Sequence, residues 1–346
     1  MNHVSRRAFL KQAAICAATV SAARCARVPP VLKPGRRPNF VFILVDDLGW
    51  ADPSCYGSTF HETPNIDTFA ASGVRFTNAY AAAPLCTATR ASIMTGQWPA
   101  RLHNTGANTY PAAPPDGRFP EPGRTAQPWV KLATPRPDGT LPLEAVTIAE
   151  ALKEAGYATA AIGKWHLGED EHFPEHQGFD VSIGGYREGW TRSHFSPYHI
   201  PTITDGPEGE YLADRLTDEG ARFIEENRDR PFFLYLAHYA VHTPIQGKDA
   251  LIAHYAAKAD PRAGQHNATY AAMVHSADQS VGEILRTLDE LDLSDNTVVF
   301  FMSDNGGLLR THAGDQITSN APLRGGKAML YEGGIREPMI ARWPGL

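Results

Sequence analysis

Four continuous apolar runs, each ending abruptly in polar residues, constrain this chain more than any other feature. Asn39–Val45 leads into Asp46-Asp47, and Ala158–Ile162 into Gly163-Lys164-Trp165-His166. Phe232–Leu236 leads into His238 and then His242-Thr243-Pro244, and Thr297–Met302 into Ser303-Asp304-Asn305-Gly306-Gly307. An uninterrupted apolar run of this length reads as a strand covered on both faces, because a strand wet on one side alternates polar with apolar. Helical patterns lie between the runs. Thr63 followed by Pro64, with Ile66, Phe69 and Ala70 on one face and Gly73 as the stop, predicts a capped helix. Amphipathic spacing predicts further helices over 144–155, 211–226 and 269–291. Strands alternating with helices predict an α/β fold, with a mostly parallel central sheet flanked by helices on both faces. Such sheets bind ligands beyond the carboxyl ends of their strands. Asp, Lys, His and Asn would therefore converge on one edge.

The chain has 346 residues, room for one large α/β domain with additions or for two domains. Its 38 acidic residues outnumber 32 basic ones, a formal net charge of −6, which argues against general nucleic-acid binding because that needs a basic face. No stretch reaches the ~18–20 apolar residues of a transmembrane span. Two segments lack periodicity. One is Pro- and Gly-rich, over 104–142, with a long loop from Tyr110 to Pro142 that reads equally as a substrate-facing lid or a solvated excursion. The other, Asp170 to Pro207, is rich in Gly, His, Tyr and Trp and is the better candidate for ligand contact.

Residues 1–25 read as a targeting segment. Ser5-Arg6-Arg7-Ala8-Phe9-Leu10-Lys11 followed by an Ala-rich run from Ala13 to Ala23 has the pattern of a twin-arginine export signal, with cleavage near Ala22–Ala23. The implied partner is the twin-arginine translocase, and the implied location is periplasmic or extracellular. Cys25 is an alternative lipoprotein cysteine, although Arg24 before it fits that processing poorly. Pro-rich residues 26–37 then form a linker. Of the four cysteines, Cys55 and Cys86 lie in the domain, and an oxidising compartment makes a disulfide between them one reading.

Asp46, Asp47, Asp304 and Asn305 form an all-oxygen donor set at two strand ends, which suits a hard divalent cation, Ca²⁺ or Mg²⁺. A zinc site would bring His or Cys, and none stands next to either pair. A lone Asp-Asp after a strand reads equally as a turn; the Ser-Asp-Asn-Gly-Gly run in the same context favours the metal.

The segment Pro84-Leu85-Cys86-Thr87-Ala88-Thr89-Arg90-Ala91-Ser92-Ile93-Met94-Thr95-Gly96 resembles the sulfatase signature, Cys-x-Pro/Ala-x-Arg followed by Thr-Gly. The resemblance extends over nearly the whole chain after the linker. It takes in Pro38–Trp50, Thr63–Asp67, Val74–Asn78, Gly163–Gly168, His242-Thr243-Pro244, Leu323-Arg324-Gly325-Gly326-Lys327 and Tyr331-Glu332-Gly333-Gly334. The chain is similar to type I sulfatases of the alkaline-phosphatase superfamily. Thr89 stands where Ser is commoner, and Ala88 where many members have Pro.

That resemblance implies a sulfuric ester hydrolase in which Cys86 is oxidised to formylglycine, whose hydrate is the nucleophile. A geminal diol can accept the sulfuryl group through one hydroxyl and expel sulfate by deprotonating the other, which neither Ser nor Cys can do. The implied maturation partner is a formylglycine-generating or anaerobic sulfatase-maturating enzyme. Asp46, Asp47, Cys86, Asp304 and Asn305 would surround the metal, and Arg90 would hold the modified residue near it. Lys164, Lys327 and His242 would bind the sulfate, with His242 and Lys327 as proton donors to the leaving oxygen. Asp304 would help deprotonate the attacking hydroxyl, and His166 would be the base that releases sulfate. Under this reading Cys55 is a small buried hydrophobe rather than a disulfide partner of Cys86.

The catalytic domain is expected over 38–346, stopping at Trp343-Pro344-Gly345-Leu346. The smaller C-terminal antiparallel sheet and terminal helix that relatives carry would then be largely absent. The expected substrate is a sulfated small molecule or glycan, with Gly178–Gly185, Ser196–Tyr198 and Asp205–Tyr211 resembling sulfatases of sulfated galactose-type sugars. Two alternatives are a phosphomonoester or phosphonate hydrolase on the same scaffold and an inactive sulfated-glycan binder.

Overall fold

The computed structural model describes residues 37–106, 139–310 and 314–344. The signal segment, most of the linker and most of the Tyr110–Pro142 loop lie outside these described residues.

The four apolar runs are strands, and they are neighbours. β1 (Asn39–Val45), β3 (Ala158–Gly163), β5 (Phe232–Ala237) and β6 (Thr297–Ser303) are joined by β2 (Val74–Tyr80), β4 (Val181–Ile183) and β7 (Arg336–Arg342) in one seven-stranded sheet. The order is β2-β7-β6-β1-β5-β3-β4. β6, β1, β5, β3 and β4 run parallel, while β7 pairs antiparallel with both β6 and β2. β1 sits at the centre, with Val41 opposite Leu234 on one side and Val299 on the other.

Alternate residues of β1 enter opposite layers, as the period of two requires. Val41, Ile43 and Val45 pack with Leu216 of α4 (Leu212–Glu226) and with Met273, Val281 and Ile284 of α6 (Ala268–Glu290). Leu44 packs with Ala91 and Met94 of α2 (Cys86–Thr95) and Ala149 of α3 (Ile148–Glu154). Helices thus cover both faces, and the expected α/β architecture holds. The short helices α1 (Pro64–Ser72), α5 (Asp249–Ala256) and α7 (Glu332–Ile335) complete the set among the described residues.

One helix start and one cap differ from expectation. α3 begins at Ile148 rather than Glu144, because Thr147 forms a capping box with Glu150 that sets the first turn. Thr63 occupies the N-cap of α1 but makes no cap hydrogen bond. Its hydroxyl instead donates to Asp67 and accepts from the Ser54 amide, tying the helix to the loop after β1.

Candidate active site

Parallel strands end on the same edge, so the polar residues beyond β1, β3, β5 and β6 arrive together. The loops continue the ladder for a residue or two: Lys164 N donates to Ala237 O (2.7 Å), His238 N to Leu44 O (2.8 Å) and Asp46 N to Ala240 O (2.9 Å). Gly163 makes the close approach at β3 possible. Its φ is +100°, and a Cβ there would fall 1.9 Å from Ala237 O. Asp47 and His166 also take left-handed backbone conformations, with φ of 61° and 60°. Such geometry is uncommon outside glycine and is found where a functional site constrains the backbone.

Cys86 is the first residue of α2 and is buried. Its sulfur and one oxygen each from Asp46, Asp47 and Asp304 all lie within 4.8 Å of one another. Three cations answer the three carboxylates. Lys164 Nζ is 2.5 Å from Asp46 Oδ2, and Lys327 Nζ is 2.7 Å from Asp47 Oδ1. Arg90 is wholly buried; its Nε and Nη2 lie 2.9 and 2.8 Å from Asp304 Oδ2, and Nη1 donates to Lys164 O at 2.9 Å. Asn305 Nδ2 donates to Asp47 Oδ1 at 2.7 Å. His242 Nε2 stands 3.7 Å from Asp47 Oδ2, and the Thr87 hydroxyl lies 3.1 Å from His166 Nε2.

Burial sets the protonation states, and the neighbouring charges sort them. Burial pushes the Asp46 carboxyl up to about 7, with Asp304 adding to the rise and Lys164 opposing it. Burial would raise Asp47 and Asp304 too, but Lys327 beside Asp47 and Arg90 beside Asp304 hold both below the usual carboxylate range. Burial, then the positive charge of Lys164, holds His166 well below the usual imidazole value. Burial and Lys327 push His242 down to about 3. Both imidazoles are therefore neutral at pH 7 in this structure, whereas proton donation by His242 calls for its charged form. The Cys86 thiol is pushed up to about 12 by burial, so it carries almost no thiolate at neutral pH.

The donor set fits a hard divalent cation. Asp46 Oδ1 and Asn305 Oδ1 are buried without a hydrogen-bond partner, a costly state that a bound cation relieves. Three carboxylates and three basic side chains leave the cluster formally neutral, so a divalent ion makes it net positive and attractive to an anion.

Residues 38–346 match the family model described as Sulfatase. The chain belongs to the sulfatase family. The human N-acetylgalactosamine-6-sulfatase is 36% identical over 333 residues, covering 89% of this chain and 57% of that protein. The human steryl-sulfatase is 33% identical over 394 residues, covering 89% of this chain and 62% of that sulfatase. A solved structure described as Ps i-CgsB in complex with k-i-k-neocarrahexaose superposes with a TM-score of 0.71 at 33% identity, covering 89% of this chain and 66% of that one. The chain thus spans about three-fifths of the length of the curated sulfatases it matches.

Every predicted site residue, from Asp46 to Lys327, is found around this cluster, and Cys55 and Cys86 are free thiols rather than a disulfide. Cys55 is half-buried against the main core. Sequence reasoning missed the supports. Asp52 is buried and accepts from Gly49 N (2.7 Å), Tyr270 OH (2.6 Å), Gln265 Nε2 (2.9 Å) and Thr318 Oγ1 (2.6 Å), pinning the loop that carries Asp47. A third acid in the loop after β1 was its only signal. Thr87, against His166, was hidden as an unremarkable position of the Cys86 segment.

Proposed function

We propose that the protein hydrolyses sulfate esters, with Cys86 converted to formylglycine and Ca²⁺ or Mg²⁺ held by Asp46, Asp47, Asp304 and Asn305. The observation that carries this reading is Cys86 itself: a buried, protonated thiol, useless as a nucleophile, placed among three carboxylates and ringed by Lys164, Lys327, His166 and His242. Conversion of such a residue to an aldehyde hydrate would supply a hydroxyl nucleophile where the thiol offers none. The cation, when bound, would supply positive charge against the sulfate oxygens and the attacking oxygen.

The chain's own residues divide the remaining work. Arg90 locks Asp304 in place through two contacts and so orients the acid next to the nucleophile position. Lys164 and Lys327, paired with Asp46 and Asp47 here, are free to turn to sulfate oxygens once a cation takes over those carboxylates. His166, neutral, can accept a proton from the second hydroxyl. His242 is neutral here, and the negative charge of a bound sulfate shifts it towards the protonated form by raising its affinity for protons. It can then donate to the leaving oxygen.

Substrates of the exported enzyme are proposed to be sulfated sugars. The N-acetylgalactosamine-6-sulfatase name of one relative and the neocarrahexaose complex of another support this. The twin-arginine motif supports periplasmic or extracellular delivery, and no helix among the described residues is long and apolar enough to cross a membrane. A formylglycine-generating or anaerobic maturating enzyme would be the partner that oxidises Cys86.

Intact mass spectrometry of protein co-expressed with a maturating enzyme tests the proposal. Loss of the thiol in favour of an aldehyde at Cys86, with sulfate release from an aryl sulfate that exceeds phosphate release from the matching aryl phosphate, is the expected result. A matured protein that prefers the phosphate would overturn it.

A further inference from the structure

The irregular segment between β4 and α4 forms one wall of the site, and the proposed chemistry leaves its aromatic residues without a role. His166 N donates to Tyr186 O at 3.2 Å, so the wall is joined to the proposed base through the backbone. Gly189 lies so close to the His166 ring that a Cβ would fall 2.2 Å from Cε1. Trp190 is next in the chain. Its carbonyl accepts from the buried Tyr186 hydroxyl, and Tyr186 packs on Tyr239 with ring centroids 6.3 Å apart. The next residue, Thr191, is buried, with its hydroxyl 2.8 Å from Tyr198 O. The Trp190 backbone is therefore held on both sides, yet the residue is left 46% exposed.

A single exposed aromatic on an open surface means little. One whose backbone is held on both sides, and which directly follows the glycine packed against the proposed base, is different. Resting on the sulfate-ester reading above, we propose that Trp190 is the platform on which the pyranose ring of a sulfated sugar stacks while its sulfate enters the Lys164–Lys327 pocket. An indole offers a broad apolar face to the C–H face of a sugar ring, and the held backbone at this position leaves no main-chain freedom to be lost on binding. The buried cluster recognises the sulfate, common to every substrate. The exposed indole recognises the alcohol that carries it, which makes Trp190 a specificity residue and not a catalytic one.

The test uses Ca²⁺-loaded Cys86→Ala protein, which cannot turn over, and isothermal titration with galactose 6-sulfate and with inorganic sulfate. Adding Trp190→Ala should weaken the sugar sulfate by about ten-fold or more while inorganic sulfate changes less than about two-fold. Trp190→Phe should recover most of the sugar affinity; Trp190→Leu, apolar but without a flat face, should not. Equal weakening of both ligands, or unchanged sugar affinity in Trp190→Ala, would overturn the proposal. Parent protein that binds inorganic sulfate but not the sugar sulfate would overturn it while sparing the sulfate pocket. Parent protein that binds neither would reject the sulfate-ester reading along with it.

Discussion

Arg90→Met removes the guanidinium from the centre of the acidic cluster while keeping much of its volume. Arg90 and Asp304 are both fully buried, and the pair makes two contacts of 2.8–2.9 Å, with a third bond to Lys164 O. Breaking a buried ion pair by removing one partner costs about 3–5 kcal/mol, because the other charge stays behind unpaired. Here the orphan is Asp304, with the Asp46 and Asp47 carboxylates close by. Arg90 is what holds Asp304 below its ordinary value of 3.8 against burial. Without it, burial and the Asp47 carboxylate are opposed only by Lys164 and Lys327, and the folded-state value rises relative to the parent protein. A carboxyl raised in the folded state contributes stability at low pH that is lost as pH rises through its new value. The penalty of the substitution should therefore be largest near pH 8 and shrink towards pH 5, where the orphan takes up a proton. Urea unfolding monitored by circular dichroism, in EDTA at both pH values, measures this. A loss below about 1 kcal/mol at pH 8, or one that grows on acidification, would refute the electrostatic account of the cluster.

The same geometry sets three further outcomes. After chelation, Ca²⁺ or Mg²⁺ should raise the thermal midpoint more than Zn²⁺ does, and more at pH 8 than at pH 6, since a proton on Asp46 competes with the cation; recovery by Zn²⁺ alone would reject the oxygen-donor site. His238, pushed down to about 4 by burial, binds no proton in the fold between its ordinary value of 6.5 and that value. Stability is thus full above pH 6.5 and falls on acidification, by about 3 kcal/mol from this residue alone, and His238→Gln should show a shallower acid limb in urea midpoints across pH 4–7; superimposable slopes would dismiss this role. Gly189→Ala places a methyl 2.2 Å from the His166 ring, so sulfate-ester turnover should drop by about ten-fold or more with a stability loss of about 1–3 kcal/mol; wild-type turnover would show that the wall yields without disturbing the base.

The amino-acid sequence alone determined the layers of this protein and the identity of its chemical groups. Runs such as Phe40–Val45 and Val298–Met302 are apolar at every position, and a strand of that kind has no stable place except the middle of a covered sheet. Parallel strands deliver the residues beyond their carboxyl ends to one edge, so Asp46, Lys164, His242 and Asp304 could be assigned to one site before any contact was known. Exact helix starts were less legible at Ile148, where a four-residue capping box outweighs a longer amphipathic pattern. Tertiary structure alone decided how the charges pair and which protons are held. That Arg90 serves Asp304 while Lys327 serves Asp47, that burial wins at Asp46 but is overridden by neighbouring cations at Asp47, and that Asp52 and Thr87 support the site are all outcomes of distance between segments far apart in the chain. Local pattern encodes burial, because burial repeats along a strand or helix. It does not encode the few ångströms between side chains on different strands, and electrostatic energy in a dry interior turns on those distances.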